Sequence, residues 1–326
     1  MSRSTLTFLL KTLVSLGILA FLFSRINTAQ LVGALTSARL SYLAVALAGY
    51  FLGQLLCSVR WGLLARPLGF ENGAKDFAIF YFIGMFFNLF APSTIGGDVG
   101  RVFYLARGGR RKEGQQWTGA TLSALISVLA DRIIGLVVLV WIGAAALALF
   151  SNYDLPLAVR TITFALAACS ILGWLLLAPL HRLAERWGVP RAKNLLQGLA
   201  TYTGNHWTIV VTVVISLIAH VIQSWMHILL GRSLGVEIPW SYVFILYPLV
   251  GIFSSLPVSL NGIGLREGGY LFLLGQIDVS PEKAIAFSFL WLIIVALDSL
   301  IGGVVFVLKK SPKPSTLVPV INDQTK

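Results

Sequence analysis

Residues 91–101, APSTIGGDVGR, follow directly on the apolar run 81–90, YFIGMFFNLF. A run of that kind ought to be crossing a bilayer, yet it ends in a proline, three glycines, an acid and a base. Much later the chain reads LPVSLNGIGLR over residues 256–266. Both stretches fit P-x4-G-x3-R, with Pro92, Gly97 and Arg101 in the first and Pro257, Gly262 and Arg266 in the second. Whether these are loops between spans or breaks inside the membrane decides the fold.

Composition supplies the setting. Of 326 residues, 57% are hydrophobic and only 12% are charged, with a mean hydropathy of +0.83. A soluble domain is about one quarter charged, so the chain is read as an integral membrane protein. Its formal charge of +12 would suggest nucleic acid in a soluble protein. Here the basic residues lie between apolar segments, which points to topology and anionic headgroups and away from nucleic acid. Cys57 and Cys169 both fall in apolar segments without metal-ligand spacing and read as small core residues. No metal or cofactor is expected.

Apolar runs matching the bilayer core, about twenty residues each, cover 6–23, 41–64, 118–150, 160–180, 207–231 and 283–308. Lys11 interrupts the first, and no small-x-small cleavage site follows, so an uncleaved helix is expected. Basic residues crowd 107–112, 182–193 and the tail from Lys309, whereas 151–159 has none. The basic connections are therefore expected in the cytoplasm, with both termini there.

With that orientation, 77–91 begins and ends on the same side, and so does 242–275. Each is expected to be a re-entrant hairpin, turning at Pro92–Gly97 and at Pro257–Gly264, one entering from inside and the other from outside. Two broken segments with one signature and opposite orientation are the mark of an inverted-repeat transporter. The expected fold is all-α: a polytopic bundle of about six spanning helices and two opposed hairpins over residues 1–308, followed by a disordered cytoplasmic tail, 309–326.

Irregular backbone at membrane depth is tolerated only where protein buries it or where it lines a wet cavity. Glycines let backbone approach a ligand, and N–H groups at a helix start favour an anion. Arg101 and Arg266 add permanent charge in a fork suited to phosphate. The candidate headgroup site is thus Pro92, Gly96, Gly97, Asp98 and Arg101 with Asn261, Gly262, Gly264, Arg266 and Glu267. Alternatively each arginine caps its hairpin or pairs with a neighbouring acid, Asp98 or Glu267.

Asp131 and Arg132 lie inside the 118–150 segment, where an unshielded charge costs about 2.5–3.5 kcal/mol. They should face the bundle interior or the cytoplasmic end, as an ion pair with another helix or as a substrate contact. Asp298, alone in the last helix, reads as a coupling carboxylate or, preferably, an arginine's counter-ion. His220, Gln223, Ser224 and His227 form one helical stripe, suited to helix–helix hydrogen bonding more than to metal. GGDVG lacks the GK[ST] of a phosphate-binding loop, and neither G-x-S-x-G nor H-E-x-x-H occurs, so no catalytic motif is found.

PSTIGGDVGRVFYL, DRIIGLVVL and LPVSLNGIGLREGGYLFLL, in that order, resemble the lysylphosphatidylglycerol synthase transmembrane family, over about residues 6–308. The resemblance implies a polytopic membrane protein of a prokaryotic cytoplasmic membrane with a lipid-translocating role. In relatives fused to a cytosolic aminoacyltransferase the domain moves aminoacylated phosphatidylglycerol; that fused domain is not found here. Carried over by position, the implied functional loops are Pro92–Arg101, Asp131–Arg132 and Asn261–Glu267. The leading expectation is a flippase or scramblase for an anionic lipid. The alternative is an accessory subunit presenting a polyprenyl-phosphate-linked substrate to a glycosyltransferase or another lipid-modifying enzyme. An intramembrane lipid-modifying enzyme is a third reading, without a nucleophile–base pair to support it. Oligomeric state stays open.

Overall fold

The computed structural model describes residues 3–24, 26–90, 96–111, 119–186, 190–256, 258–259 and 262–308. Among them there is no strand, only an isolated bridge between Phe70 and Arg111. The first six helices are α1 (Arg3–Phe23), α2 (Thr28–Thr36), α3 (Leu40–Ala65), α4 (Ala74–Phe90), α5 (Gly96–Gly108) and α6 (Ala120–Leu149). The next six are α7 (Leu157–Arg186), α8 (Pro190–Ala200), α9 (His206–Ser233), α10 (Trp240–Ser255), α11 (Leu265–Gly275) and α12 (Pro281–Leu308).

Among the described residues, five helices or helix segments are long and apolar enough to cross a membrane: Leu40–Leu68, Ala120–Leu149, Leu157–Leu176, His206–Ser233 and Pro281–Leu308. A sixth crossing requires taking Thr12–Phe23 and Thr28–Thr36, bent by 92°, as one span. The all-α polytopic bundle is therefore present. The short helices α2 and α8 were not foreseen, because 190–200 reads as a polar connection. The large apolar side chains left on the outside, such as Leu13, Leu136, Leu172, Leu217 and Val304, suit hydrocarbon: lipid replaces water as the solvent of this surface. Cys57 is buried as expected, but Cys169 is exposed on α7.

At both candidate breaks the chain folds into two helices packed on each other, α4 with α5 and α10 with α11. At 17, 13, 16 and 11 residues, all four fall short of the roughly twenty needed to cross alone. In the first hairpin α5 begins earlier than expected. Gly96, Gly97 and Asp98 already belong to the first turn of α5, and Pro92 lies outside the described residues. A Cβ on Gly97 would meet the Gly84 carbonyl oxygen, so this glycine is required by the close approach of α4 to α5.

The second hairpin is built differently. Gly262 and Gly264 have φ of +77° and +88°, a left-handed conformation that favours glycine, just ahead of α11. Asn261 and Pro257 lie outside the described residues.

The helix order repeats. In each series of six, a long helix is followed by a short one, a long one, two too short to cross alone and a long one. The packing exchanges between series: α4 lies on α12 as α10 lies on α6, α5 on α6 as α11 on α12, and α2 on α12 as α8 on α6. The equivalent helices α3 and α9 run antiparallel, for Gly49 meets Met226, Gly53 meets Gln223 and Arg60 reaches Ser216. The repeat is thus an inverted one. A second repeated signature goes with it. V-x2-D-x2-I-G-x-V-V occurs as Val128, Asp131, Ile134, Gly135, Val137 and Val138 in α6, and as Val295, Asp298, Ile301, Gly302, Val304 and Val305 in α12.

The buried apolar residues form two cores, one of which joins Leu22, Tyr50, Leu139 and Leu147 of the first half to residues of the second. One cluster centres on Trp61, Phe77, Ile83, Leu105 and Ile126, the other on Tyr242, Leu246, Tyr270, Leu273 and Phe287. Gly302 and Gly303 pack within the chain, against the Phe82 carbonyl and the Phe86 ring of α4.

Candidate functional site

Arg60, in the C-terminal part of α3, has no role in the sequence analysis, yet it organises the site. Arg60 Nε donates to Asp131 Oδ1 at 2.8 Å, and Arg60 Nη1 donates to Ser216 Oγ at 2.8 Å. Arg101 of α5 donates from Nη2 to the other carboxylate oxygen, Asp131 Oδ2, at 2.7 Å. One acid thus ties α3, α5 and α6 together, and α9 is joined through Ser216. The Arg101 guanidinium also lies over the rings of Trp61 and Tyr81, at 4.3 and 4.7 Å from their centroids. Such faces attract a cation where water is absent.

This cluster is nearly dry. The side chains of Arg60, Arg101 and Asp131 are 6%, 4% and 2% exposed. Two guanidinium groups on one carboxylate leave a surplus positive charge, and Arg101 Nε has no hydrogen-bond partner among the described residues. A buried polar group without a partner is costly unless something completes it.

Asp131 and Arg132 are adjacent in sequence but have different partners. Arg132 turns outward, its side chain 52% exposed, and donates to Asp98 at 2.9 Å. Asp98 is therefore mainly the partner of Arg132, with Arg101 farther off at 3.7 Å. The neighbour pairing considered for Arg101 is thus present at the longer distance, and Asp131 is its closer acid. In the second hairpin the neighbour pairing does occur, with Arg266 Nη2 donating to Glu267 Oε1 at 2.6 Å.

Glu267 is held from two further directions. It accepts from the Gly264 N–H at 2.6 Å, closing a capping box on α11, and from Ser288 of α12 at 3.2 Å. Backbone N–H groups were expected to face an anion. Instead the Gly264 N–H is used by Glu267, and the Gly97 N–H donates to Asn88 Oδ1 at 3.0 Å. At these two helix starts the chain fills its own anion position, so attraction for a ligand passes to the arginines.

Both motif arginines open onto one cavity of about 520 Å3 at the junction of the halves. The first half contributes Arg60, Arg101, Asp131 and Arg132 together with Tyr50, Gln54 and Asn88. The second contributes Arg266, Ser255, Ile263, His220, Gln223 and Ser299. Behind this wall Asp98 and Glu267 hold their arginines. Four guanidinium groups thus stand against three carboxylates. Gly96, Gly97, Gly262 and Gly264 shape the supporting turns without lining the space.

Asp298 is apart from these residues. It is fully buried, and neither carboxylate oxygen has a hydrogen-bond partner among the described residues. The counter-ion expectation is not met among the described residues, where no arginine is bonded to it.

The polar stripe of α9 is used between helices. His220 Nε2 donates to the Gly135 carbonyl at 3.0 Å while Nδ1 faces the Tyr247 hydroxyl at 2.9 Å. His227 Nδ1 donates to the Gln223 carbonyl at 2.7 Å and Nε2 faces the Tyr270 hydroxyl at 2.8 Å. A carbonyl can only accept, so each ring has one nitrogen donating and the other occupied. Neither is left to bind metal, and among the described residues no group of three potential metal ligands gathers.

Apolar helices around a polar, arginine-lined chamber define a multi-pass membrane protein with an internal site for a polar group. Residues 8–302 match the family described as Lysylphosphatidylglycerol synthase TM region, and the chain belongs to that family. A lipid-related membrane function follows. No curated protein matches the chain significantly.

Proposed function

We propose that the protein carries an anionic, phosphate-bearing lipid from one leaflet to the other, as a flippase or scramblase, without making or breaking bonds in it. One observation carries this reading: the arginines of two hairpins, from two inverted halves, meet in a single cavity with more guanidinium than carboxylate groups around it. A phosphate group in hydrocarbon lacks hydration, and a fixed positive surplus offsets that cost.

The arginines divide the work. Arg60 and Arg101 are locked on Asp131 and supply fixed field. Arg266, its side chain 13% exposed, is able to reach a headgroup, as is the more exposed Arg132 at the same cavity, and Glu267 holds the Arg266 fork in place for bidentate contact. The hairpins enter the bilayer from opposite faces and the acyl chains remain in lipid. Rocking of α1–α6 against α7–α12 exposes the chamber to each side in turn. Membership of the family and the inverted repeat both support this cycle.

The test is leaflet exchange in proteoliposomes, followed by dithionite quenching of fluorescent phosphatidylglycerol, its lysyl derivative, a neutral lipid and a short polyprenyl phosphate. Exchange of a phosphate-bearing lipid that falls in Arg266→Gln supports the reading. Correctly folded protein that moves no lipid above empty liposomes overturns it and favours an accessory role beside a glycosyltransferase.

A further inference from the structure

The position of Asp298 in α12 is the counterpart of Asp131 in α6, within the same V-x2-D-x2-I-G-x-V-V signature. In the first half this carboxylate receives two guanidinium groups, so the position is a cation site there. In the second half the arginines lining the cavity are committed elsewhere. Arg266 is bonded to Glu267, while Arg60 and Arg101 hold Asp131.

Asp298 is left 0% exposed, both its oxygens buried and without a partner among the described residues. One turn on, Gly302 presses against the Phe82 carbonyl and closes the helices around the site. A bare carboxylate in that setting would carry a large desolvation cost.

The surroundings decide which cation fits. Helices α2, α3, α4, α9 and α11 pack against α12. From α3 the Tyr50 phenol lies within coulombic reach of the carboxyl without bonding to it. Titratable groups of the other elements are engaged: Tyr81 of α4 with Gln54, His227 of α9 with Tyr270, and Glu267 of α11 with Arg266, Gly264 and Ser288. Glu267 reaches α12 at Ser288, about 15 Å of helix rise from Asp298. Helix α2, TAQLVGALT, carries no charged residue. A hard metal ion takes several oxygen ligands at once, and none touches this carboxyl. A proton needs only the one oxygen. It also has a short route in, because Val295 and Ser299, on either side of Asp298, line the central cavity.

We propose that Asp298 is the proton-binding site of the transport cycle: its carboxyl takes a proton from the central cavity when the cavity faces one side and returns it to water when the cavity faces the other. The inference rests on the transport reading. Nothing is oxidised or reduced; one proton is bound and the same proton released. The repeated position thus holds guanidinium permanently in one half and a proton reversibly in the other, which lets a pH gradient drive the movement of lipid.

The experiment compares wild type, Asp298→Asn and Asp298→Glu in liposomes containing fluorescent phosphatidylglycerol, with and without an imposed pH gradient. The expected result is a several-fold change in exchange rate with the gradient in wild type. Asp298→Asn brings the ratio of the two rates to unity, and Asp298→Glu retains part of the response. A gradient response that survives in Asp298→Asn, or wild-type exchange indifferent to the gradient, overturns the proton site while leaving lipid transport standing. Infrared difference spectra of the purified, monodisperse proteins read the site without transport. A carboxylic-acid band that shifts in heavy water and is missing from Asp298→Asn supports the inference. Identical spectra overturn it, as does a substantial coupling energy between Arg266→Gln and Asp298→Asn in a double-mutant cycle of stability, which would make Arg266 the cation.

Discussion

Arg60 and Arg101 grip opposite oxygens of the same carboxylate, Asp131, at 2.8 and 2.7 Å. Because the three side chains are almost fully buried, removing the acid and removing one base are unequal changes. Asp131→Asn strands two guanidinium groups and is expected to cost about 3–5 kcal/mol. Arg60→Met leaves the Arg101–Asp131 pair intact and should cost less, despite the loss of the Ser216 contact. Thermal unfolding of the detergent-purified variants checks the order. Equal or reversed losses would show that Asp131 does not organise the junction of α3, α5 and α6.

The glycines of the first hairpin make a steric prediction. In Gly97→Ala the new methyl runs into the Gly84 carbonyl and the Asn88 side chain, so α5 must move away from α4. Overpacking of this kind costs about 1–3 kcal/mol. The shift also displaces Arg101, one turn along α5, so exchange activity should fall with stability. Gly268→Ala, where a Cβ meets nothing within 4 Å, should leave thermal stability within about 0.5 kcal/mol of wild type. If the two substitutions unfold at the same temperature, close approach does not explain the P-x4-G spacing in the first copy.

Much of this architecture was legible because a bilayer restricts the alternatives. Long apolar runs located α3, α6, α7, α9 and α12, and P-x4-G-x3-R marked both places where the chain turns back. Two signals were readable and went unused. Arg60 is a lone base inside the 41–64 apolar run, where an ionisable residue by default indicates a functional or structural partner. The shared signature around Asp131 and Asp298 is longer than P-x4-G-x3-R and would have aligned the halves directly. Pairings were harder to foresee. Adjacent charges such as Asp131 and Arg132 point to different sides of a helix, so sequence neighbours have separate partners. Likewise, nothing local says that Gly97 lies in a helix while Gly262 lies in a left-handed turn.

Arg132 and Asp98 give a contrasting expectation. Their side chains are 52% and 24% exposed, so their pairing should contribute under about 1 kcal/mol in a double-mutant cycle. Arg132→Ala should therefore leave unfolding nearly unchanged. A coupling as large as that of Arg101 with Asp131 would mean that this edge of the cavity is closed to water.

Arg266 separates charge from geometry. It stands at the cavity, and Glu267 would remain bonded to Gly264 and Ser288 without it, so its substitution should affect transport more than stability. Arg266→Lys keeps the positive charge but loses the planar fork that fits two phosphate oxygens. Losing one charge-assisted hydrogen bond is worth about 1.5–3 kcal/mol, so exchange of a phosphate-bearing lipid should fall about tenfold or more in Arg266→Lys. Arg266→Gln, lacking charge as well, should fall further. A neutral lipid should respond to neither change, because it has no phosphate for the fork to hold. The comparison is made on one set of proteoliposomes, with equal protein incorporation verified for each variant. If lysine matches arginine, only the field of the cavity matters; if glutamine matches both, Arg266 makes no headgroup contact and the cavity does not select its lipid through this residue.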